Sequence, residues 1–345
     1  MKPKLVVSGS ADNTIRIWRP PKKLYNFEGV GTLRPVLEVF KFLTLEEVIA
    51  IGRVNKQFYE ASFSYEVQTK PIFREDQVLE GHSGGVYCVA VSHKKDFLVS
   101  GSHDKTILVW NLLTRQATQV LKGHSGGVWC VAVSSKDEFV VSGSSDKTVR
   151  IWSLESVPIS VLRGHKNAVI SLALSSKDEF IVSGSWDDTI RVWSVLSSEQ
   201  MRLIEVNTPW INSLVMSKNE DFVLSGGGNK ALTLWSLPSG KRTRVFRGHG
   251  LSVNSLTISS GDEFVVSGSG DSTIKLWSLA SGKITRTLRG HTKRVLSVSL
   301  SNDNKYLVSG SADYSVRLWS LEKGTQTQIL KGHTDRVWSV SVISY

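Results

Sequence analysis

The chain has 345 residues, and its 42 Lys and Arg residues outnumber its 31 Asp and Glu residues, which gives a formal net charge of +11. No run is long and apolar enough to cross a membrane, and the first predicted strand begins too close to Met1 to leave room for a signal peptide. No Walker-type glycine loop, metal-ligand cluster or isolated nucleophile and base pair is present. The sequence therefore argues against a membrane protein, a secreted protein and an enzyme, and it implies no cofactor.

Two short strands are predicted at the start of the chain, between Leu5 and Trp18. They match the second and third strands of the repeat that occupies the later part of the chain. They carry its Ser8, Asp12 and Trp18 but not its His. The beginning and the end of this unit must therefore come from elsewhere in the chain.

A helical segment is predicted next, between Pro20 and Pro71, where the alternation typical of strands disappears. Apolar residues fall on one helical face within Val36–Leu43. Thr44–Glu47 is a capping box that starts a second helix, and Val54–Tyr59 indicates a third. Three short apolar helices cannot bury their faces separately, so we expect them to pack on one another, on the rest of the protein or on a partner.

Part of this segment resembles an F-box. The resemblance rests on Val36–Val48 and Val54–Ala61. F-box segments dock onto the Skp-type adaptor of cullin-RING ubiquitin ligases. By this resemblance the adaptor would contact Leu37, Val39, Phe42, Leu43 and Val54. The alternative is a helical decoration with no adaptor role.

The rest of the chain is repetitive. A Gly-His dipeptide recurs at spacings of 42, 41, 84, 42 and 42 residues, where the 84 is one unit that has lost its Gly-His. A Trp keeps the same spacing, and a Ser-Gly-x-x-Asp or a close relative stands between each His and its Trp. The residues concerned are His82, His124, His165, His249, His291 and His333, and Trp110, Trp152, Trp193, Trp235, Trp277 and Trp319. A repeat of this length indicates a propeller or a solenoid.

Each unit is predicted to form four short strands. In the unit that begins at Gly290 they are Val295–Leu300, Tyr306–Gly310, Ser315–Leu321 and Thr325–Leu330. Four short strands per unit make one blade of a β-propeller. The Gly-His opening and the Trp that ends a strand resemble the WD-repeat family over most of the chain, although Ser or Asn usually follows this Trp where the family name expects Asp.

The resemblance implies a hydrogen-bonded tetrad of His, Ser, Asp and Trp in each blade. The matching sets are His82, Ser100, Asp104 and Trp110; His124, Ser142, Asp146 and Trp152; His165, Ser183, Asp187 and Trp193; His249, Ser267, Asp271 and Trp277; and His291, Ser309, Asp313 and Trp319. A catalytic interpretation of Ser, His and Asp does not suit a motif present in five copies, so we interpret it as structural. The fourth unit has Asn207 and Asn229 at the His and Asp positions, and we expect it to be the weakest blade.

The two ends of the chain carry complementary parts of a unit. Residues 332–345 supply a Gly-His and a first strand, and residues 5–18 supply the second and third strands. Superposed on the preceding unit, Val342 falls on Leu300 and Ser8 on Ser309, so the two fragments join into one blade. A ring closed in this way leaves no exposed sheet edge between its ends.

We therefore predict an all-β fold: a seven-bladed WD-repeat β-propeller closed by N- and C-terminal strands that share one blade, with a small three-helix insert. The insert interrupts the shared blade before its fourth strand, which we place at Gln77–Leu79. The predicted domains are 1–18 with 76–345 for the propeller and 19–75 for the F-box-like insert.

Four of the eleven Trp residues do not occupy the strand-end position. The resemblance places them around the channel mouth on the Gly-His face, where ligands of the family dock. Exposed Trp is enriched where binding energy concentrates, and the alternative is that some of these rings pack between neighbouring loops. We expect a peptide with apolar, proline or cationic anchors and an acidic flank. The predicted peptide-binding residues are Tyr87, His103, Trp129, Trp186, Trp210, Arg294, Leu296, Arg336 and Trp338.

Most of the positive charge is repetitive. We interpret it as a solvated rim rather than a nucleic-acid groove, so nucleic acid is not an expected partner. Cys88 and Cys130 share one repeat position on first strands, and we expect two packing residues rather than a disulfide. This cysteine usage predicts a cytoplasmic or nuclear protein.

The function predicted from these features is that of a non-catalytic substrate receptor of an SCF-type cullin-RING ubiquitin ligase. The Trp-rich face would bind the substrate peptide, and the insert would bind the Skp-type adaptor. The alternative is a WD-repeat scaffold for protein complex assembly with no ubiquitin role. In either case we expect protein partners, no membrane partner, and a monomer outside its complex.

Overall fold

Every regular element that the structure describes is a β-strand. The computed structural model describes residues 5–20, 73–154, 158–206 and 209–343. In chain order the strands are β1 (Leu5–Ser10), β2 (Ile15–Arg19), β3 (Arg74–Leu79), β4 (Val86–Val91), β5 (Phe97–Ser102), β6 (Ile107–Asn111), β7 (Ala117–Leu121), β8 (Val128–Val133), β9 (Phe139–Ser144), β10 (Thr148–Ser153), β11 (Pro158–Arg163), β12 (Val169–Leu174), β13 (Phe180–Ser185), β14 (Thr189–Ser194), β15 (Gln200–Glu205), β16 (Ile211–Met216), β17 (Phe222–Gly227), β18 (Ala231–Ser236), β19 (Arg242–Arg247), β20 (Val253–Ile258), β21 (Phe264–Ser269), β22 (Ile274–Ser278), β23 (Ile284–Leu288), β24 (Val295–Leu300), β25 (Tyr306–Ser311), β26 (Val316–Ser320), β27 (Thr325–Leu330) and β28 (Val337–Ile343).

The strands form seven separate four-stranded sheets, each of which is one blade of a propeller. Blades 1 to 6 are built from consecutive strands: β4–β7, β8–β11, β12–β15, β16–β19, β20–β23 and β24–β27. Blade 7 combines β28, β1, β2 and β3 in that spatial order. The first strands of neighbouring blades are in contact around the whole ring, and β28 contacts both β24 and β4.

Blade 7 joins the two ends of the chain in the predicted register. Val342 of β28 pairs with Val6 of β1, as Leu300 pairs with Leu307 in blade 6. The predicted fourth strand at 77–79 lies within β3. Both the seven-bladed ring and its closure by the terminal strands are therefore confirmed.

The core lies between neighbouring blades. Successive residues of a strand point to opposite faces of its sheet, so Val140 packs in a cluster with Val99 of blade 1, while Val141 packs with Val169 of blade 3. A strand buried on both faces has a continuous apolar sequence. At Gly143 an added Cβ would lie 2.6 Å from Cγ1 of Val169, so the approach of the next blade requires glycine there.

Hydrogen bonds between first strands also join neighbouring blades. The Ser297 hydroxyl of blade 6 accepts the backbone N–H of Val340 in blade 7, at 3.0 Å. Cys88 and Cys130 occupy this position in blades 1 and 2, and the Cys88 thiol donates to the carbonyl of Val128, at 3.9 Å. Both are buried free thiols, as predicted.

The predicted three-helix insert is wrong as part of the fold class, because the described residues form strands and no helix. The predicted helices, within 36–59, lie outside the described residues. At both ends of the predicted insert the chain is in strands, since Arg19 ends β2 and Arg74 begins β3. Helical spacing and a capping box are local signals, whereas a short helix depends on tertiary packing for its stability.

The chain divides into two compact units. One comprises Met1–Trp18 and Glu75–Tyr345 and is the propeller, and the other comprises Arg19–Arg74. Nearly all of the second unit lies outside the described residues. The connection between β2 and β3 thus spans residues 20–73, whereas the corresponding connection between β6 and β7 spans only 112–116.

Candidate partner-binding face

The predicted tetrads are present as hydrogen-bonded networks. In blade 2, Nδ1 of His124 lies 2.7 Å from Asp146, and its Nε2 lies 2.7 Å from the Ser142 hydroxyl, to which Trp152 donates its indole N–H. Blades 1, 3, 5 and 6 repeat these contacts at 2.7–2.9 Å. Each tetrad ties the Gly-His loop to the second and third strands of its blade.

A sixth tetrad spans the two ends of the chain. His333 follows the last blade of the continuous repeat, whereas its partners Ser8, Asp12 and Trp18 lie near the N-terminus. The His333 ring nitrogens lie 2.8 Å from the Ser8 hydroxyl and 2.9 Å from the Asp12 carboxylate. The His that the N-terminal strands lack is therefore supplied by the C-terminal segment.

The hydrogen bonds of the tetrads favour an ionised Asp. Trp152 donates its indole N–H to the Ser142 hydroxyl, whose own hydrogen can donate to Nε2 of His124 while Nδ1–H donates to Asp146. Burial raises the pKa of the Asp146 carboxyl, but the hydrogen bonds from His124 and Thr148 outweigh it, and the pKa lies well below its ordinary value. Ser142 is fully buried, so no substrate reaches it. The network therefore holds the blade together and performs no chemistry.

Blade 4 departs from this pattern. Its Trp235 still donates to the Ser225 hydroxyl, but Asn229 stands in place of the Asp. The other blades carry Ser at the position of Gly227. In blade 4 the altered loop brings the Trp210 carbonyl so close that a Cβ at Gly227 would lie 1.8 Å from its oxygen. Trp210 itself has φ +56 and donates its backbone N–H to Asp188 of blade 3. The predicted Asn207 lies outside the described residues.

The Gly-His loops and the turns between second and third strands meet on one face of the propeller, which we call the Gly-His face. In blade 1, His103 donates its backbone N–H to the Gly85 carbonyl, at 2.9 Å. The turns between first and second strands, and those between third and fourth strands, lie on the opposite face. The residues that differ between blades on the Gly-His face therefore lie in loops and turns that hydrogen bonds hold together.

Each first strand contains a β-bulge close to this face. In blade 1 the pairing with β5 passes from Val86 directly to Cys88, which leaves Tyr87 unpaired. All seven blades show this shift. The residues at this bulge position are Tyr87, Trp129, Ile170, Asn212, Asn254, Leu296 and Trp338. A bulge redirects the side chain that it carries, and here it does so at the mouth of the channel, where the first strands meet.

Aromatic rings from four neighbouring blades meet at this mouth. Tyr87 stacks on Trp129, with ring centroids 4.2 Å apart and planes 8° apart. Trp338 approaches both rings edge-on, at 5.6 and 5.9 Å. Trp186 lies 5.7 Å from Trp129, and His103 lies 5.9 Å from Tyr87. The structure thus brings together five of the predicted binding residues, which we call the aromatic cluster.

Two of the three indole N–H groups of the cluster are held in place by hydrogen bonds. Trp129 donates to the Ser145 hydroxyl, at 2.7 Å, and Trp186 donates to the side-chain oxygen of Asn212, at 3.2 Å. The three Trp rings and Tyr87 are half-buried, and His103 is exposed. The cluster is therefore a fixed, partly open apolar floor.

The other predicted residues lie on the same face but outside the cluster. Trp210 is 61% exposed and contacts no other ring among the described residues. Leu296 occupies the bulge position of blade 6 and is half-buried. Arg294 and Arg336 are exposed and form no ion pair within the described part of the chain. The adaptor-contact residues predicted at Leu37, Val39, Phe42, Leu43 and Val54 lie outside the described residues.

The two faces of the propeller differ in charge. On the opposite face, eleven exposed Lys and Arg residues, with Arg74 and Arg242 at the starts of fourth strands included, stand against seven exposed and five half-buried acidic residues among those described. On the Gly-His face the described exposed acidic residues are Glu80 and Glu205, with Asp188 and Asp335 half-buried outside the tetrads. The exposed cations of the Gly-His face are Lys105, Lys122, Lys147, Arg163, Lys166, Lys230, Arg247, Arg289, Lys293, Arg294, Lys331 and Arg336. The excess positive charge is thus concentrated on the face that holds the aromatic cluster.

Comparison with known families agrees with this architecture. Residues 2–19, 73–111, 115–153, 156–194, 240–278 and 282–320 match WD40, the WD domain or G-beta repeat. These segments cover more than half of the chain, which therefore belongs to the WD40 family. They leave out 195–239, which contains most of blade 4. WD40 propellers are typically non-catalytic scaffolds that bind protein partners.

The described residues hold no site of two other kinds. No group of three or more His, Cys, Asp or Glu side chains in the described ranges is arranged to hold a metal ion. Within the same ranges no helix could span a membrane.

Proposed function

We propose that the protein is a non-catalytic receptor that captures a segment of a partner protein on its Gly-His face, at the aromatic cluster. The observation that supports this most strongly is the convergence of Tyr87, Trp129, Trp186 and Trp338 from four blades on one half-open floor. Tyr and Trp residues at the centre of an interface, where water is excluded, often contribute a large part of the binding free energy.

The fold itself does not require the three rings at the bulge position, those of Tyr87, Trp129 and Trp338. Blades 4 and 5 carry Asn212 and Asn254 at the same bulge position, blade 3 carries Ile170, and blade 6 carries Leu296. All four blades form the same four-stranded sheet. Aromatic residues confined to one side of the ring are therefore better explained by a ligand than by packing of the blades.

Selection of peptides tests the proposal. A phage-displayed library of random linear peptides is selected against the full-length protein, and affinities are measured by fluorescence anisotropy. Trp129→Asn with Trp338→Leu introduces residues that other blades already carry at this position, so the fold is expected to survive. We expect affinity to fall by about tenfold or more, as for a binding hot spot.

A matched control uses exposed apolar residues elsewhere. Leu113 and Leu196 are 88% and 97% exposed in turns of the opposite face. Leu113→Ala with Leu196→Ala is expected to leave affinity unchanged. Selected peptides that bind the aromatic variant as well as the native protein would show that the cluster is not the binding site.

We further propose that the captured protein is a ubiquitination substrate, and that residues 19–75 bind a Skp-type adaptor. This rests on the F-box resemblance of Val36–Ala61 and on the length of the connection that interrupts blade 7. A scaffold without a ubiquitin role is the alternative, and it needs the same peptide site but no adaptor.

Adaptor binding separates these two functions. The full-length protein is mixed with a Skp-type adaptor and analysed by size-exclusion chromatography with light scattering, beside Leu37→Asp with Phe42→Asp. A one-to-one complex that is lost in the variant supports the substrate receptor. If no complex forms while the circular dichroism spectrum of the propeller is intact, the protein is a scaffold.

A further inference from the structure

We infer that the segment captured on the Gly-His face is acidic and that it binds in a defined direction. Its apolar residue would lie on the aromatic cluster, and its carboxylates would point towards Arg294 and Arg336. The inference rests on the proposed function and adds to it the charge and the orientation of the ligand.

The direction follows from a single repeat position, the residue immediately before each first strand. Arg294 and Arg336 occupy it in blades 6 and 7, and both are exposed. Gly85 and Gly127 occupy it in blades 1 and 2, beside Tyr87 and Trp129. A Cβ at Gly85 would lie 3.6 Å from Cε1 of Tyr87, so glycine keeps a side chain away from this edge of the ring. One side of the mouth is therefore open and apolar, and the adjoining side is cationic.

The two sides are continuous. Arg336 precedes Trp338 by two residues, and Trp338 contacts both Tyr87 and Trp129. The neighbouring loop of blade 6 adds Lys293, whose ammonium lies 5.1 Å from the centre of the Tyr314 ring. An extended segment of a few residues can therefore reach from the cluster to the cations.

Charge complementarity favours an acidic ligand over a cationic one. An aromatic floor can attract a cation through its ring faces. Here, however, twelve exposed cations lie on the same face as the floor, with two exposed acidic residues among the described residues of that face. A positively charged segment would be repelled during its approach, whereas an acidic one would be steered to the site.

The ring geometry favours a protein segment over single-stranded nucleic acid. Binding of unpaired bases requires ring faces on which they can stack. Tyr87 and Trp129 cover one face of each other at 4.2 Å, which leaves no gap for a base. The indole N–H groups of Trp129 and Trp186 are already bonded to Ser145 and Asn212. The cluster is thus a fixed, partly open floor that suits an apolar side chain.

The peptides selected from the phage library test the inference directly. We expect them to carry a net negative charge together with an aromatic, aliphatic or proline residue. Arg294→Glu with Arg336→Glu is expected to weaken their binding by about tenfold or more. Arg294→Gln with Arg336→Gln removes the two charges without reversing them and is expected to weaken binding by less. The loss should be larger at low salt than at high salt, because these cations are exposed. Lys136→Glu with Lys177→Glu makes the same change of charge on the opposite face and is expected to have little effect.

The possible outcomes separate this inference from the proposed function. Neutral or basic peptides that depend on Trp129 and Trp338 but not on Arg294 and Arg336 would overturn the inference and leave the proposed function standing. Peptides that are indifferent to the Trp substitutions would overturn both. An oligouridylate RNA that binds through the same Trp residues, with no peptide selected, would assign the face to nucleic acid and overturn the inference as well.

Discussion

At the scale of single residues, one carboxylate in each tetrad collects hydrogen bonds from two segments of its blade, the Gly-His loop and the third strand. Asp146 accepts from the ring of His124, from the hydroxyl of Thr148 at 2.6 Å and from the backbone N–H of Ser125 at 3.0 Å. Hydrogen bonds to the ionised form favour it. The Gly-His loop and the following hairpin therefore depend on the ionisation of a single side chain.

Acid is expected to destabilise the propeller in two stages. Burial lowers the pKa of His82, His165, His249 and His291, although the Asp hydrogen bond opposes this. The unfolded chain therefore binds more protons once the pH falls below the ordinary His value of 6.5, and stability is lost from there downwards. The tetrad carboxyls also have lowered pKa values, about 2 for Asp271, so their contribution is lost below the ordinary value of 3.8. The thermal midpoint, followed by circular dichroism, should fall in both ranges.

A pair of His variants provides the control for this pH dependence. His165→Gln removes one buried neutral ring and should reduce the steepness of the fall between about pH 6.5 and about pH 5. His93→Gln is the same substitution at a His outside the tetrads, whose side chain is 59% exposed and lies 3.5 Å from Asp137, and it provides the reference curve. If the thermal midpoint of the native protein did not change over this pH range, the tetrad His residues would not be buried in their neutral form.

The two Cys residues give a second prediction at this scale. Cys88 stands where blades 3 to 7 carry a Ser hydroxyl that bonds to the next blade, and burial raises the pKa of its thiol. Cys88→Ser should therefore change the free energy of unfolding by less than about 1 kcal/mol. Denaturant unfolding measures this. A loss of about 2–5 kcal/mol, as for a core cavity, would show that blade 1 does not accept the hydroxyl.

At the scale of strands and blades, the sequence predicted most of what was found. Val295–Leu300 and Thr325–Leu330 are the observed bounds of β24 and β27. The tetrads were predictable because their spacing is constant. The bulges were not, because a bulge is a property of pairing with the neighbouring strand, and the residues that occupy it range from Trp338 to Asn212. The sequence thus indicated the aromatic residues of the site but not the β-bulges that bring them together.

Blade 4 is expected to be the least protected element of the ring. It lacks the Asp of the tetrad, and of the network only the bond from Trp235 to Ser225 is retained among its described residues. Local stability follows from such buried contacts. In hydrogen exchange followed by mass spectrometry, amides of β16–β18 should exchange faster than those of β8–β10 in blade 2. Equal protection of the two blades would show that packing between blades, rather than the tetrad, sets local stability.

At the scale of the whole molecule, the net charge divides into two populations. The Arg residues of third strands are structural: Arg150 lies over the ring of its tetrad Trp152, 5.8 Å from the ring centre, and 3.9 Å from Asp146. The charged groups of the exposed cations of the Gly-His face form no ion pair with a tetrad within the described residues, although Lys293 lies over the ring of Tyr314. Sequence position alone did not separate these populations, because both recur with the repeat, and only burial distinguishes a structural Arg from one available to a partner.

Closure by blade 7 makes the ring depend on its last fourteen residues, 332–345. Deleting them removes β28, and with it His333 of the sixth tetrad. It also removes the Val340 N–H that bonds to Ser297 and the Ser339 hydroxyl that accepts the N–H of Val89. Blades 6 and 1 would then each present an uncovered apolar face, which a repeat protein does not tolerate at its ends.

Deletion of 332–345 should therefore abolish the cooperative thermal transition measured by circular dichroism. Deletion of 344–345 alone leaves β28 complete and should preserve the transition, because the pairs from Leu5 with Ile343 to Ser10 with Val337 all remain. If the longer deletion melted as the native protein does, six blades would be sufficient for a cooperative fold. The pairing of β28 with β1 would then contribute little, because the closing strand of a ring stabilises it only if both neighbouring blades depend on its contacts.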